Sequence, residues 1–247
     1  MRYFLEIAYK GTAFHGWQVQ ANAYTVQEEI ENALKKLFPE PVEITGSGRT
    51  DTGVHALQQF AHLDVDKEIT ADTLYKLNCM VSKDIVIKNA FRVRDDANAR
   101  FDAVSRTYEY HICTEKDPFT HGIALFNPKP LTLDLMNQAA EVLLRHTDYQ
   151  SFSKVHTDTP HFLCNIIYAK WHQQGNRIVF TIEANRFLRG MVRSIVGTLM
   201  EVGKEKLTIA GFEQIILSKD RKAAGAAVLP DGLFLTRVKY PEDVFIK

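Results

Sequence analysis

The chain has 247 residues, 45% hydrophobic and 24% charged, as expected of a globular protein with one large domain or two small ones. Thirty basic side chains balance thirty acidic ones, for a formal net charge of +0. That excludes a uniformly basic, histone-like protein and leaves room for a local basic face. Three scattered cysteines, Cys79, Cys113 and Cys164, form no CxxC pair and fit a reducing cytoplasm, not a disulfide scaffold. No apolar run nears the roughly 20 residues of a membrane helix, and the opening MRYFLEIAYKG reads as a strand, not a signal peptide.

Along the chain, Tyr3, Leu5, Ile7 and Tyr9 alternate and predict a strand over 3–9. Thr25 with Glu28 forms a capping box. It opens a helix striped by Val26, Ile30, Leu34, Leu37 and Phe38 and stopped by Pro39. Short strands are expected near 42–45 and 58–65, then a helix over 71–82 and a strand over 85–93. The second half begins with a strand over 105–113 and a helix over 132–146. Strands over 163–173 and 177–184 follow, joined by a hairpin at Gly175-Asn176. Helices over 187–202 and near 208–218 and a strand over 233–240 complete the chain. The order βαββαβ thus occurs twice, which is the split-βαβ, ferredoxin-like plan. The expectation is an α+β fold of two ferredoxin-like halves, 1–98 and 99–247, with antiparallel sheets side by side, helices on one face and a cleft between the halves.

Chemistry concentrates first in GSGRTDTGVHA, residues 46–56, where glycines on both sides of Arg49 and Asp51 allow sharp turns. Asp51 could simply cap a turn. A phosphate loop is excluded, because there is no GK[ST] and no helix follows. Asp51-Thr52-Gly53 spells the aspartic-protease triplet, but it occurs once where two carboxylates are needed, and polar residues precede it. The remaining reading is an aspartate acting on a nucleic-acid base, with Arg49 contacting backbone or filling the stack. Arg106, Tyr108, Tyr110 and Ile112 share one face of their strand, so a ring for a base and a cation for a phosphate stand together. Ordinary sheet packing explains either tyrosine alone. Arg186, Arg189 and Arg193 recur at helical spacing as a cationic stripe at a helix N-terminus, opposing the dipole there and suggesting anionic partners. His156, His161 and Cys164 match no zinc spacing, so no metal is expected.

Taken together these blocks closely resemble the bacterial tRNA pseudouridine synthases of the TruA family, nearly end to end. The resemblance is carried by YKGTAFHGWQVQ (9–20), TVQEEIENAL (25–34), GSGRTDTGVHALQQFAH (46–62) and ARFDAVSRTYEY (99–110). It continues through SFSKVHTDTP (151–160), NRFLRGMVRSIVG (185–197) and GLFLTRV (232–238). It implies isomerisation of uridine to pseudouridine at positions 38 to 40 of the tRNA anticodon stem-loop. It also implies a homodimer with tRNA across both subunits, and neither metal nor organic cofactor. Asp51 is then the catalytic aspartate, nucleophile or base, and Arg49 helps displace the target base. Tyr108 packs on that base, and Arg193 pairs with the aspartate and favours its charged form. Arg186 and Arg189 are candidates for substrate phosphates. The competing class is a non-catalytic RNA-binding protein on the same scaffold, which would not need Asp51 ionised.

Overall fold

The computed structural model describes residues 1–155 and 159–246. They form two compact units, Met1–Arg106 with Phe234–Lys247, and Thr107–Leu233. The sequence division at 98/99 left the last strand with the second half, whereas here it groups with the first.

In the first unit the strands are β1 (Arg2–Tyr9), β2 (Thr45–Gly46), β3 (His55–Asp64) and β4 (Ile85–Arg92). With helices α1 (Val26–Leu34) and α2 (Ala71–Met80) they follow the expected βαββαβ order. β1 runs antiparallel to both β3 and β4, with Leu5 opposite Ala61 on one side and Ala90 on the other. β2 pairs with the later part of β3. The last strand, residues Leu233–Lys239, pairs in parallel with its first two residues, His55 and Ala56.

Alternation puts Leu5 and Ile7 on one face of β1, and both are buried as expected. Phe4 points the other way and is also fully buried. Its ring meets Tyr240 at 5.1 Å, Phe245 at 6.2 Å and Phe60 at 6.4 Å. The returning tail therefore covers the second face of this sheet, and that aromatic cluster explains why the last strand belongs here.

Two expectations are corrected in this unit. Helix α1 ends at Leu34, and the amides of Leu37 and Phe38 both turn back to the Leu34 carbonyl, at 2.9 and 3.0 Å. Pro39 disfavours helical backbone at the residue before it, so the chain closes early. The strand expected near 42–45 shrinks to Thr45–Gly46. Ile44 is the reason, because its amide donates to Glu31 Oε1 at 3.1 Å and its carbonyl accepts from Gln27 Nε2 at 2.9 Å. Both bonds go to side chains of α1, leaving nothing for a ladder.

The second unit holds β5 (Ser105–Cys113), β6 (Leu125–Phe126), α3 (Leu133–Val142), β7 (Ile166–Gln174) and β8 (Arg177–Ala184). It also holds α4 (Met191–Gly203) and α5 (Ile209–Ser218), and β9 is the strand 233–239 already described. The strands order as β5-β8-β7, and β6, which the sequence did not suggest, pairs in parallel with β5. The hairpin turns at Gly175 with φ +60°, the left-handed region that glycine enters at no cost. Helix α3 ends before 146, its last turn tightening to 3-10 over Leu143–Arg145. Helix α4 begins at Met191, not 187, because Gly190 at φ +71° breaks the helical path before it. Each unit is therefore a mixed α+β layer, mostly antiparallel. Among the described residues no helix is long and apolar enough to cross a membrane.

His62 on β3 accepts the Ala99 amide through Nδ1 at 3.1 Å. Burial, and then the charge of Arg2, hold its pKa below the ordinary 6.5. The unfolded chain therefore binds this proton more readily than the folded one. Its contribution to stability is complete above pH 6.5 and is lost as pH falls through the lower folded value. His62→Asn keeps an acceptor but cannot titrate. Urea unfolding across pH 7 to 5 should show a shallower acid-side loss for this variant than for the parent.

Candidate active site

Asp51 lies between β2 and β3, half-exposed, in a loop whose shape is imposed from outside it. The Val54 amide donates to the Asp51 carbonyl at 3.1 Å, closing a turn with Gly53 at φ +79°. The Gly53 amide reaches the Phe14 carbonyl at 3.3 Å, and the Trp17 amide reaches the Thr50 carbonyl at 3.3 Å. The buried Thr50 hydroxyl pairs with Tyr9 OH at 2.8 Å. These bonds grip the loop on both sides of the aspartate.

The grip requires two stretches of backbone to touch. A Cβ on Gly16, at φ +89°, would lie 2.4 Å from the Thr50 carbonyl oxygen, and one on Gly11 would lie 2.0 Å from that of Val54. Behind the loop, Ser47 Oγ donates to Gln59 Oε1 at 2.6 Å and Gln59 Nε2 donates to the Gly48 carbonyl at 2.8 Å. Arg49, two residues from Asp51, is exposed. The sequence singled out the loop without its clamp of Gly11, Gly16, Trp17 and Gln59. The available signal was a glycine pair and a tryptophan crowded between a strand and a capped helix, with no helical or strand period of their own.

The other candidates stand in the second unit, apart from Arg106. Tyr108 is half-buried on β5, and its ring is perpendicular to that of Phe187 at 5.1 Å. Phe187 is thus a supporting residue that sequence reading missed, since it precedes α4 and belongs to no stripe. Tyr110 is a core residue, its hydroxyl donating to the Leu229 carbonyl at 2.9 Å, and burial pushes its phenol well above the usual range. Arg106 is not a phosphate-facing cation beside these rings. Its guanidinium donates to the carbonyls of Ala103, Ser47 and Arg100, at 2.8, 3.0 and 2.5 Å.

The arginine stripe is also corrected. Only Arg193 is on α4, in its first turn, with Nε donating to the Val228 carbonyl at 2.7 Å. Arg186 lies in the extended approach to that helix, its guanidinium 3.2 Å from the His161 ring nitrogens and 3.5 Å from Thr159 Oγ1. Arg189 is exposed in the turn before Gly190, and its carbonyl accepts from the Lys154 amide at 3.0 Å. The kink at Gly190 takes both residues off the helix surface. Of the weighed metal trio, His156 lies outside the described residues, and burial pushes the Cys164 thiol up to about 11, far from a thiolate ligand. Among the described residues no group of three or more His, Cys, Asp or Glu is placed to hold a metal ion.

A family model described as tRNA pseudouridine synthase matches residues 7–102 and 139–241. The matched segments include Arg49, Asp51, Arg186, Arg189 and Arg193, and Tyr108 falls between them. The chain is 49% identical to tRNA pseudouridine synthase A of Parabacteroides distasonis, over 99% of this chain and 98% of that one. It is 46% identical to the protein of that name from Porphyromonas gingivalis, covering 99% of each. The like-named protein of Exiguobacterium sp. is 39% identical over 96% of both chains.

Gly16→Ala should destabilise the chain by about 1–3 kcal/mol, since it combines a left-handed φ with a clash against backbone. Gly48→Ala, whose Cβ would meet nothing within 4 Å, should leave stability unchanged. Thermal unfolding of the two variants side by side checks this.

Proposed function

The chain belongs to the tRNA pseudouridine synthase family and is an isomerase acting on tRNA, and from that premise we propose that it converts uridines 38 to 40 of the anticodon stem-loop to pseudouridine with Asp51 as the catalytic residue. The observation that carries this reading is the clamped loop. It presents a half-exposed carboxylate and an exposed guanidinium two residues apart, on backbone gripped from both sides. A carboxylate that must meet one carbon of a large, mobile substrate gains most from such prior placement.

The target base must first leave its stack, since nothing reaches the glycosidic bond inside it. Arg49 enters the space it vacates. Asp51 then acts as nucleophile, on the ribose or the base, or as base toward a ribose proton. The N1–C1′ bond breaks, the uracil turns, C5 bonds to C1′, N1 gains a proton and C5 loses one. Only protons are exchanged and no electron leaves the nucleoside, so the reaction needs no redox cofactor. Tyr108 keeps the detached uracil captive by stacking, which holds a ring without fixing its in-plane angle. The perpendicular contact with Phe187 supports that role by fixing the plane of Tyr108. Arg193, braced at Nε by Val228, pairs with Asp51. Arg186 and Arg189 take phosphates. Several target positions with unrelated neighbours call for recognition of shape and phosphate over base edges. The active form is a homodimer with tRNA across both subunits. The non-catalytic alternative is set aside by the family membership.

Asp51→Asn should abolish tritium release from tRNA transcripts carrying [5-³H]uridine in the anticodon arm while tRNA binding persists. Release at the parent rate would remove Asp51 as catalyst. Tyr108→Phe, which keeps the ring, should retain turnover that Tyr108→Leu loses by about 10-fold or more. Equal rates for the two would refute stacking.

A further inference from the structure

We propose that the turn bearing Arg100 and Phe101 is a second nucleotide site, where an unpaired base of the tRNA stacks on Phe101 and its phosphate meets Arg100. The proposal rests on the reading that tRNA is the substrate. Phe101 is 76% exposed. A lone exposed phenylalanine is ordinary on a protein surface. This one differs in how firmly it is presented.

Asn98 Oδ1 accepts the amides of both Arg100 and Phe101, at 3.0 and 3.2 Å. Asp102 Oδ2 accepts the Asn98 amide at 2.8 Å, and the Asp102 amide returns to the Asn98 carbonyl at 3.0 Å. Between them, Ala99 is tied through its amide to His62 and through its carbonyl to Tyr240 OH at 2.5 Å. Backbone from 98 to 102 is thus anchored throughout, while the aromatic ring is left to water. Ordering an apolar ring outward has no benefit to folding. It does lower the entropy cost of binding a flat partner.

The chemistry of the spot specifies that partner. The Arg100 guanidinium sits 5.4 Å from the Phe101 ring centroid, so a π-face and a cation are offered together. Sequence-tolerant binding of single-stranded nucleic acid uses that pair of groups.

Arg106 joins this turn to the loop of Asp51. One nitrogen, Nη2, donates both to the Arg100 carbonyl and to the Ser47 carbonyl, at the start of that loop. A nucleotide seated on the turn is therefore registered against the loop through one guanidinium. Arg106 acts here as a positioning residue.

The test is tRNA-transcript binding by variants in the Asp51→Asn background, alongside tritium release by the parent enzyme. Phe101→Leu should weaken binding roughly 10-fold with an unchanged salt slope, and Arg100→Gln should lower that slope by about one. Thermal unfolding should not move for Phe101→Leu. Phe101→Trp should bind like the parent, and its added fluorescence should be quenched by tRNA. Trp17 and Trp171, at 2% and 1% exposure, contribute little to that change. Parent-like binding by Phe101→Leu, or an unquenched indole, overturns the proposal even if tritium is released. A change in particle mass by light scattering at unchanged RNA affinity assigns the ring to a protein contact and also overturns it. Absence of tritium release from the parent instead defeats the functional reading on which the proposal rests.

Discussion

The close approach of two backbone segments, residues 11–17 and 50–55, is the constraint on which the candidate site depends. Beyond a single 3-10 turn at Gly11–Ala13 and the first residue of β3, neither segment has regular secondary structure, so neither could hold its shape alone. Each supplies what the other lacks: the loop offers the Thr50 carbonyl to the Trp17 amide and its own Gly53 amide to the Phe14 carbonyl, and the facing segment offers the absence of side chains at Gly11 and Gly16. Buried carbonyls without partners are costly, so the pairing is close to obligatory once the segments touch. The backbone that carries Asp51 is therefore positioned by main-chain geometry.

Around that contact the first unit is arranged as a set of braces. Ser47 and Gln59 hold the loop from behind through side-chain bonds on a central strand, and Arg106 reaches the Ser47 carbonyl. Strand β3 is central because it pairs with β1 on one side and with β2 and β9 on the other, and one face of this sheet is covered by the ring cluster of Phe4, Phe60, Tyr240 and Phe245. The second unit shows the same economy at its candidate residues. Arg193 and Val228 exchange bonds in both directions, and Phe187 props Tyr108.

Periodicity made most of this visible beforehand. The alternation of β1, the spacing of α2 and the Gly175-Asn176 turn all carry local signals that tertiary contacts reinforce. Local signals failed where side chains competed for backbone. Ile44 looked like a strand residue, but Glu31 and Gln27 capture its backbone hydrogen bonds. Arg186, Arg189 and Arg193 had helical spacing, yet a glycine at φ +71° ends that register, and no periodicity count senses a dihedral angle. The Asp51 loop stood out through composition and through family resemblance. Its clamp did not, because contacts between residues 11–17 and 50–55 are long-range and leave no period. Arg106 was legible as a cation on the right strand, but sequence does not announce the backbone carbonyls of Ala103, Ser47 and Arg100 to which it donates.

The grouping of residues 234–245 with the first unit also bears on how the molecule is made. Synthesis lays down β1, the Asp51 loop and β3 early, but the strand that flanks His55 and the rings that cover Phe4 emerge only after the whole second unit. Until then the nascent sheet carries an open edge and an uncovered apolar face, the features that recruit unwanted pairing. Completion of the unit bearing the aspartate is thus deferred until the second unit has been made, and the aromatic segment serves as the closing element that converts a sticky intermediate into a finished fold.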